Sequence, residues 1–147
     1  MNYTLRPATE SDIDFLLDLR RRTMNHYLTQ NGVDASDTQH LYRIQYQFED
    51  AQIIVCDGQD IGLFKASYLE DRQLWYVYQL QVVPAYQGKG IGRRLLVTLC
   101  DRANASGLGV GLSVLKGNPA KKLYDRLMFE VVEETASEYE MRYCITK

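Results

Sequence analysis

This sequence is poor in cysteine, proline, histidine and tryptophan, and each shortage excludes something. Its three cysteines, Cys56, Cys100 and Cys144, stand far apart. They form no metal-ligand spacing and no even disulfide set, so reduced thiols buried as small hydrophobes are expected, and no metal. Only three prolines occur, and no linker, repeat or low-complexity tract interrupts the chain. No apolar run approaches the length needed to cross a bilayer, and no signal peptide is expected at the start. A long basic block is missing and the net charge is -2, which argues against nucleic acid as the main partner. These absences describe a cytoplasmic protein with no membrane or nucleic-acid partner.

What is present fits a globular domain. Hydrophobic residues make up 46% and charged ones 24% of 147 residues, enough for one domain, 1-147, with a sizeable core. Residues 2 to 6 alternate weakly and predict an edge strand ended by Pro7. Ser11 is the expected N-cap of a helix in which Ile13, Leu16, Leu17, Met24, Tyr27 and Leu28 recur at helical spacing. Arg20 falls in that stripe. It reads as a snorkelling side chain covering the core, or as a cation aimed at an acceptor carboxylate. Asn31-Gly32 breaks the helix.

A second helix is expected from about Asp37 to Phe48, with Tyr42 and Tyr46 one turn apart on a face beside Leu41 and Ile44. Strand signals follow at Ala51 to Cys56, Ile61 to Tyr68 and Leu74 to Val83, with Asp57-Gly58 as the first turn. Later come a helix carrying Leu95, Leu96, Leu99 and Cys100, and a strand from Val110 to Leu115. A helix capped by Asn118 with Pro119 behind it is next, then strands at Phe129 to Val132 and Tyr139 to Ile145. Early helices, a hairpin-rich run and two later strand–helix units predict a mixed α/β (α+β) sheet.

The most telling segment is Val82-Val83-Pro84-Ala85-Tyr86-Gln87-Gly88-Lys89-Gly90-Ile91-Gly92-Arg93-Arg94. A β-rich run enters it, alternating glycines fill it, and an apolar-periodic helix leaves it. Glycine allows positive φ and close approach of a ligand to the main chain. A helix N-terminus offers unpaired N–H groups and partial positive charge. The segment therefore reads as a diphosphate cradle, with a plain glycine-rich turn as the other reading. Two familiar cradles do not match. The P-loop requires Lys-Ser or Lys-Thr after its last glycine, where this chain has Arg93. The dinucleotide fingerprint requires G-x-G-x-x-G and an acid about 20 residues on, where Leu112 stands.

Gln87-Gly88-Lys89-Gly90-Ile91-Gly92 matches the Q/R-x-x-G-x-G/A acetyl-coenzyme A motif of the GNAT acyltransferase superfamily. Leu80-Gln81-Val82-Val83-Pro84 resembles that family's fourth strand. Asn118-Pro119-Ala120-Lys121-Lys122-Leu123-Tyr124 resembles its second coenzyme motif, in the family's order and separation. The resemblance covers residues from about 50 to 145. It implies a mostly antiparallel sheet of six or seven strands flanked by about four helices, with the fourth and fifth strands splayed. It departs from the family at Met128-Phe129, where Gly-Phe is usual and glycine would take a left-handed helix end.

The resemblance also implies roles. The activity would be transfer of acetyl from acetyl-CoA to a primary amine of a small molecule or peptide, by direct attack. The alternative is a non-catalytic acyl-CoA sensor of the same fold. Leu80, Gln81 and Val82 would meet the coenzyme along the strand, with the Val82 N–H donating to the thioester oxygen. Gln87, Gly88, Lys89, Gly90, Ile91, Gly92 and Arg93 would hold the pyrophosphate, with Arg94 as an alternative cation. Asn118, Lys121 and Tyr124 would also contact the coenzyme. Tyr124 would act as general acid, since a phenol near pKa 10 stays protonated at neutral pH. The family's usual strand glutamate is replaced by Tyr78, beside Gln79. A water chain or His26 is then left as the base. Trp75, Tyr76, Tyr78, Tyr42 and Tyr46 are the candidate acceptor wall. A monomer or a homodimer is expected.

Overall fold

The computed structural model describes residues 2–143. Seven strands form one sheet: β1 (Thr4–Pro7), β2 (Ala51–Cys56), β3 (Gln59–Leu69), β4 (Leu74–Val82), β5 (Gly109–Leu115), β6 (Glu130–Glu134) and β7 (Glu138–Tyr143). Four α-helices flank it: α1 (Ile13–Gln30), α2 (Asp37–Gln45), α3 (Ile91–Ala105) and α4 (Ala120–Arg126). The strand order is β1-β2-β3-β4-β5-β7-β6. Every neighbouring pair is antiparallel except β4 and β5, which run parallel. The mixed, mostly antiparallel sheet expected from the sequence is therefore present.

Alternation along the strands sorts side chains onto two faces. On one face Leu16 and Leu19 of α1 and Ile44 of α2 close over Ala51, Ile53 and Leu63. On the other, Ile91, Leu95, Leu96 and Leu99 of α3 close over Ile54, Phe64, Val77 and Leu112, and Tyr124 of α4 joins that cluster. Each such side chain removed from water contributes about 1.5–3 kcal/mol, so both helix pairs are fixed to the sheet by burial.

Three local expectations need correction. Ser11 does not cap α1. Thr9 and Asp12 form a reciprocal pair instead, with Asp12 N–H donating to Thr9 O and Thr9 N–H to Asp12 Oδ2 (2.9 and 2.8 Å). Asp12 is further held by Arg6 at 2.8 Å, and Arg6 also reaches Asp60. A carboxylate with two partners outcompetes a hydroxyl as the cap.

The second helix stops at Gln45 and not at Phe48. Gln47 adopts φ 53 and a 3₁₀ turn follows over Phe48–Asp50. The cause lies in another element. Lys65 of β3 is fully buried, and its ammonium donates to Arg43 O (2.8 Å), Ile44 O (3.2 Å) and Tyr46 O. These are carbonyls at the end of α2, which would otherwise lack partners.

The first strand spans Thr4–Pro7 and includes the proline, which pairs with Gln52 at the sheet edge. Strand β7 begins at Glu138; Cys144 and Ile145, expected within it, lie outside the described residues.

Candidate active site

The parallel pairing of β4 with β5 covers only Leu74↔Gly109 to Val77↔Leu112. Beyond it the two strands part. A β-bulge occurs at the same place: Lys65 pairs with Gln79 and Ala66 with Val77, leaving Tyr78 as the extra residue. A bulge bends the strand and increases its twist, which carries the end of β4 away from β5.

On the β3 side, Val83 N–H donates to Ile61 O (2.8 Å). In an antiparallel ladder successive residues point their main-chain groups to opposite sides. Leu80 and Val82 therefore turn their N–H groups toward the gap. The Val82 carbonyl is held by Gln87 Nε2 at 2.9 Å. That bond fixes the loop to the strand end.

The gap opens into a cavity of about 660 Å³ that runs between the two faces of the sheet. Leu80 and Gln81 line it from β4, Val114 from β5, Asn118 and Tyr124 from the α4 side, and Tyr78 and Glu138 from the opposite face. Tyr124 is 8% exposed, its ring lies 6.0 Å from Phe129, and burial pushes its phenol up to about 12. It is a proton donor across the physiological range. Asn118 Oδ1 accepts from Ala120 N–H (2.9 Å), so it holds the first amide of α4 from one residue further out than expected: the helix begins at Ala120, and Pro119 takes the N-cap position itself.

The cradle lies at one end of this gap. Gly88 and Gly90 have φ 74 and 83, and a β-carbon at either would meet nothing within 4 Å. Both glycines are therefore needed for conformation and not for space. Gly92 differs: it is helical, and a β-carbon there would sit 3.7 Å from Leu80, an ordinary contact. The first helical bond closes from Arg94 N–H to Gly90 O, which leaves the N–H groups at the start of α3 without helical acceptors.

Gln87 departs from expectation, because its N–H already donates to Pro84 O at 3.2 Å. Lys89 and Arg93 are exposed beside the cradle. Arg94 stacks on the Tyr3 ring at 4.9 Å. Lys121 is engaged by Asp125 (3.1 Å) and lies over Tyr139.

The acceptor side is aromatic, though not with every residue expected there. Tyr42, Tyr46 and Tyr78 line the cavity. The Tyr46 and Tyr78 rings are 5.2 Å apart, and Tyr76 stacks on Tyr78 at 4.9 Å. Burial raises the Tyr78 phenol to about 12. Trp75 faces away and packs on Tyr68. His26 is exposed, stacks on Tyr27 and is not part of the cavity.

Four residues that sequence reasoning left aside or unresolved now stand at the site. Glu138 lines the cavity, and burial with the neighbouring Glu140 raises its carboxyl above the ordinary range. Gln79 is 4% exposed, and both of its amide atoms lack a partner among the described residues. Arg20 is buried at the cavity wall, with its Nε donating to His40 Nδ1 at 2.9 Å. The alternating Ser137-Glu138-Tyr139-Glu140 run was the only signal for Glu138. Nothing in sequence marked His40 as Arg20's partner. Among the described residues no cluster of His, Cys, Asp and Glu could hold a metal ion, and no helix is long and apolar enough to cross a membrane.

A family model described as "Acetyltransferase (GNAT) domain" matches residues 49–131. No curated protein sequence matches the chain. Among solved structures, the PaiA N-acetyltransferase of Thermoplasma acidophilum, in complex with coenzyme A, superposes with a TM-score of 0.72 at 18% identity. The match covers 99% of this chain and 100% of that one. The ribosomal-protein-S18-alanine N-acetyltransferase of Escherichia coli gives 0.70 at 19% identity, covering 99% and 96%. N-acetylglutamate synthase of Neisseria gonorrhoeae, complexed with coenzyme A and N-acetyl-glutamate, gives 0.71 at 16%, covering 100% of this chain and 36% of that one.

Proposed function

The chain belongs to the GNAT acetyltransferase family, and on that premise we propose that it is an N-acetyltransferase acting on a primary amine of a small molecule or peptide. The acyl donor is acetyl-coenzyme A, which supplies the acetyl group as an activated thioester. The reading is carried by the parting of β4 from β5 beyond Val77 and Leu112. It turns the Leu80 and Val82 amides onto the gap that Tyr124 also lines.

The residues present fit such a donor. Backbone N–H groups from Gly88 to Arg93 hold its diphosphate at the start of α3, with Lys89 and Arg93 adding charge. Main-chain groups of β4 take the extended arm as an added strand would be taken. The Val82 N–H donates to the carbonyl oxygen on which negative charge grows. The Tyr124 phenol, protonated at neutral pH, donates to the departing sulfur. Glu138 receives the proton of the amine, in place of the carboxylate that β4 lacks. Its raised pKa suits a base working near neutrality. A cytoplasmic setting suits the unpaired thiols of Cys56 and Cys100.

One observation favours the sensor reading: Leu74–Val82 carries no carboxylate. Thiol release separates the two. The purified chain is incubated with acetyl-coenzyme A and an amine panel, and free thiol is followed against a buffer control. An enzyme releases thiol in an amine-dependent way; thiol at the buffer rate with every amine leaves only the sensor. With the acceptor found, Tyr124→Phe is expected to lower kcat about 100-fold with the affinity for acetyl-coenzyme A unchanged. A wild-type kcat removes Tyr124 from the mechanism.

A further inference from the structure

Arg20 is 8% exposed and lines the cavity, yet no carboxylate among the described residues neutralises it. Among the described residues its only hydrogen bond is the one from Nε to His40 Nδ1. The other imidazole nitrogen, Nε2, lies 2.6 Å from Asn25 Oδ1. Since Nδ1 accepts from Arg20, Nε2 carries the proton and donates to Asn25. This chain fixes the guanidinium by its inner nitrogen and leaves its two terminal amino groups for the cavity. The nearest charges make the deficit worse. Arg43 lines the same cavity and, after burial itself, is what lowers the Arg20 pKa, to about 10. Lys65 lies close enough to feel Arg20 as well. A buried cation without a counter-ion is costly, so its missing partner is expected to come from outside.

A second observation points to the same place. Gln79 Nε2 and Oε1 and Gln81 Oε1 are buried without hydrogen-bond partners among the described residues, and both residues line this cavity. Gln79 stands opposite Lys65 in the ladder, hence on the face that α1 and α2 cover. A buried amide left unmatched is destabilising. Its Nε2 is a donor suited to an oxyanion.

We propose that the acceptor is an anionic amine, whose carboxylate or phosphate seats on the Arg20 guanidinium beside the Gln79 amide while its amino group faces Glu138. Arg20 is the specificity-determining contact, and His40 with Asn25 are positioning residues that hold it. The guanidinium fork matches either oxyanion in two-point contact. Asp34, also at the cavity, is exposed, and its Oδ1 accepts from Ser36 N–H, so it does not offset Arg20.

This inference deepens the N-acetyltransferase reading and rests on it; the test keeps the two apart. Initial rates of thiol release are compared for free amino acids and dipeptides, the same compounds as carboxamides, O-phosphoethanolamine, and neutral or polycationic amines. Anionic amines are expected to exceed their carboxamides about 50-fold in kcat/KM, as one charged hydrogen-bonded pair provides. Which anion leads identifies the source. Arg20→Gln should erase that preference through KM, Arg20→Lys should restore part of it, and acetyl-coenzyme A affinity by calorimetry should stay at the wild-type value in both.

A second measurement needs neither turnover nor a variant: N-acetyl amino acids and their amides are titrated into the wild-type complex with coenzyme A. Heat from the acids alone supports the anion seat. Equal rates for acids and carboxamides, a preference for polycations, or no heat from any acid overturns it. Failure to bind acetyl-coenzyme A at all overturns the underlying activity instead.

Discussion

At the position where the family carries glycine, Met128 holds φ 72 and is 74% exposed. The helix end therefore keeps its left-handed turn, and methionine bears the strain. A left-handed L-residue costs about 1–2 kcal/mol, and glycine returns about half of that as lost unfolded-chain entropy. Met128→Gly is therefore expected to stabilise the protein by about 0.5–1 kcal/mol, read as a denaturation midpoint that rises with an unchanged m-value.

Glu138 carries a second prediction. Its carboxyl pKa is raised, first by burial and then by Glu140, and only the ionised form accepts a proton. The rate should fall as pH drops through that raised value, at higher pH than a solvated glutamate would give. Glu138→Gln should remove this limb of the pH profile and lower kcat about 100-fold. A profile that keeps the limb in the variant assigns it to another group. Sequence could show Gly90, Asn118 and Tyr124, because local motif spacing marks them. It could not show Gln79, or settle Arg20, because their meaning depends on which partners they lack, and that is decided by elements 20 to 60 residues away.

Helix α2 illustrates the same limit for an element. Its apolar spacing continues to Phe48, yet the helix stops at Gln45 because Lys65 takes the carbonyls of Arg43, Ile44 and Tyr46. The lysine is 0% exposed. Burial pulls its pKa down to about 8, so it remains an ammonium at neutral pH, with a carbonyl for each of its three N–H donors. Lys65→Met is expected to cost about 2–4 kcal/mol, since carbonyls at the end of α2 would lose their donor inside the fold. Equilibrium denaturation measures this directly, and a loss under 1 kcal/mol would mean that water replaces the ammonium. Elements with their own period and turns, such as α3 and the β2–β3 hairpin, were legible to within a few residues. The bulge at Tyr78 was not, since nothing in Tyr76-Val77-Tyr78-Gln79 differs from ordinary strand alternation.

For the whole molecule, the order of helical and strand signals implied a mixed sheet, and family resemblance implied its splayed centre. Both are observed. The cavity is lined from α1, α2, β4, β5, α4 and the β6–β7 turn, so acetyl-coenzyme A bound there should stabilise the fold as a unit. At about 100 times its dissociation constant the gain is roughly 2.7 kcal/mol. For a chain of this length that corresponds to a Tm rise of several degrees, about 5 to 10. Thermal melts with and without ligand check it, and an unchanged Tm at saturating ligand would contradict binding at this site.

The four-rung seam between β4 and β5 has one more implication. Five of the described strands' ladders are antiparallel, and this short parallel stretch alone stitches β1–β4 to β5–β7 within the sheet. The molecule is thus two plates sharing a brief weld, with a wedge-shaped opening below it. Whatever fills the wedge acts as a strut between the plates, so occupancy and stiffness rise together.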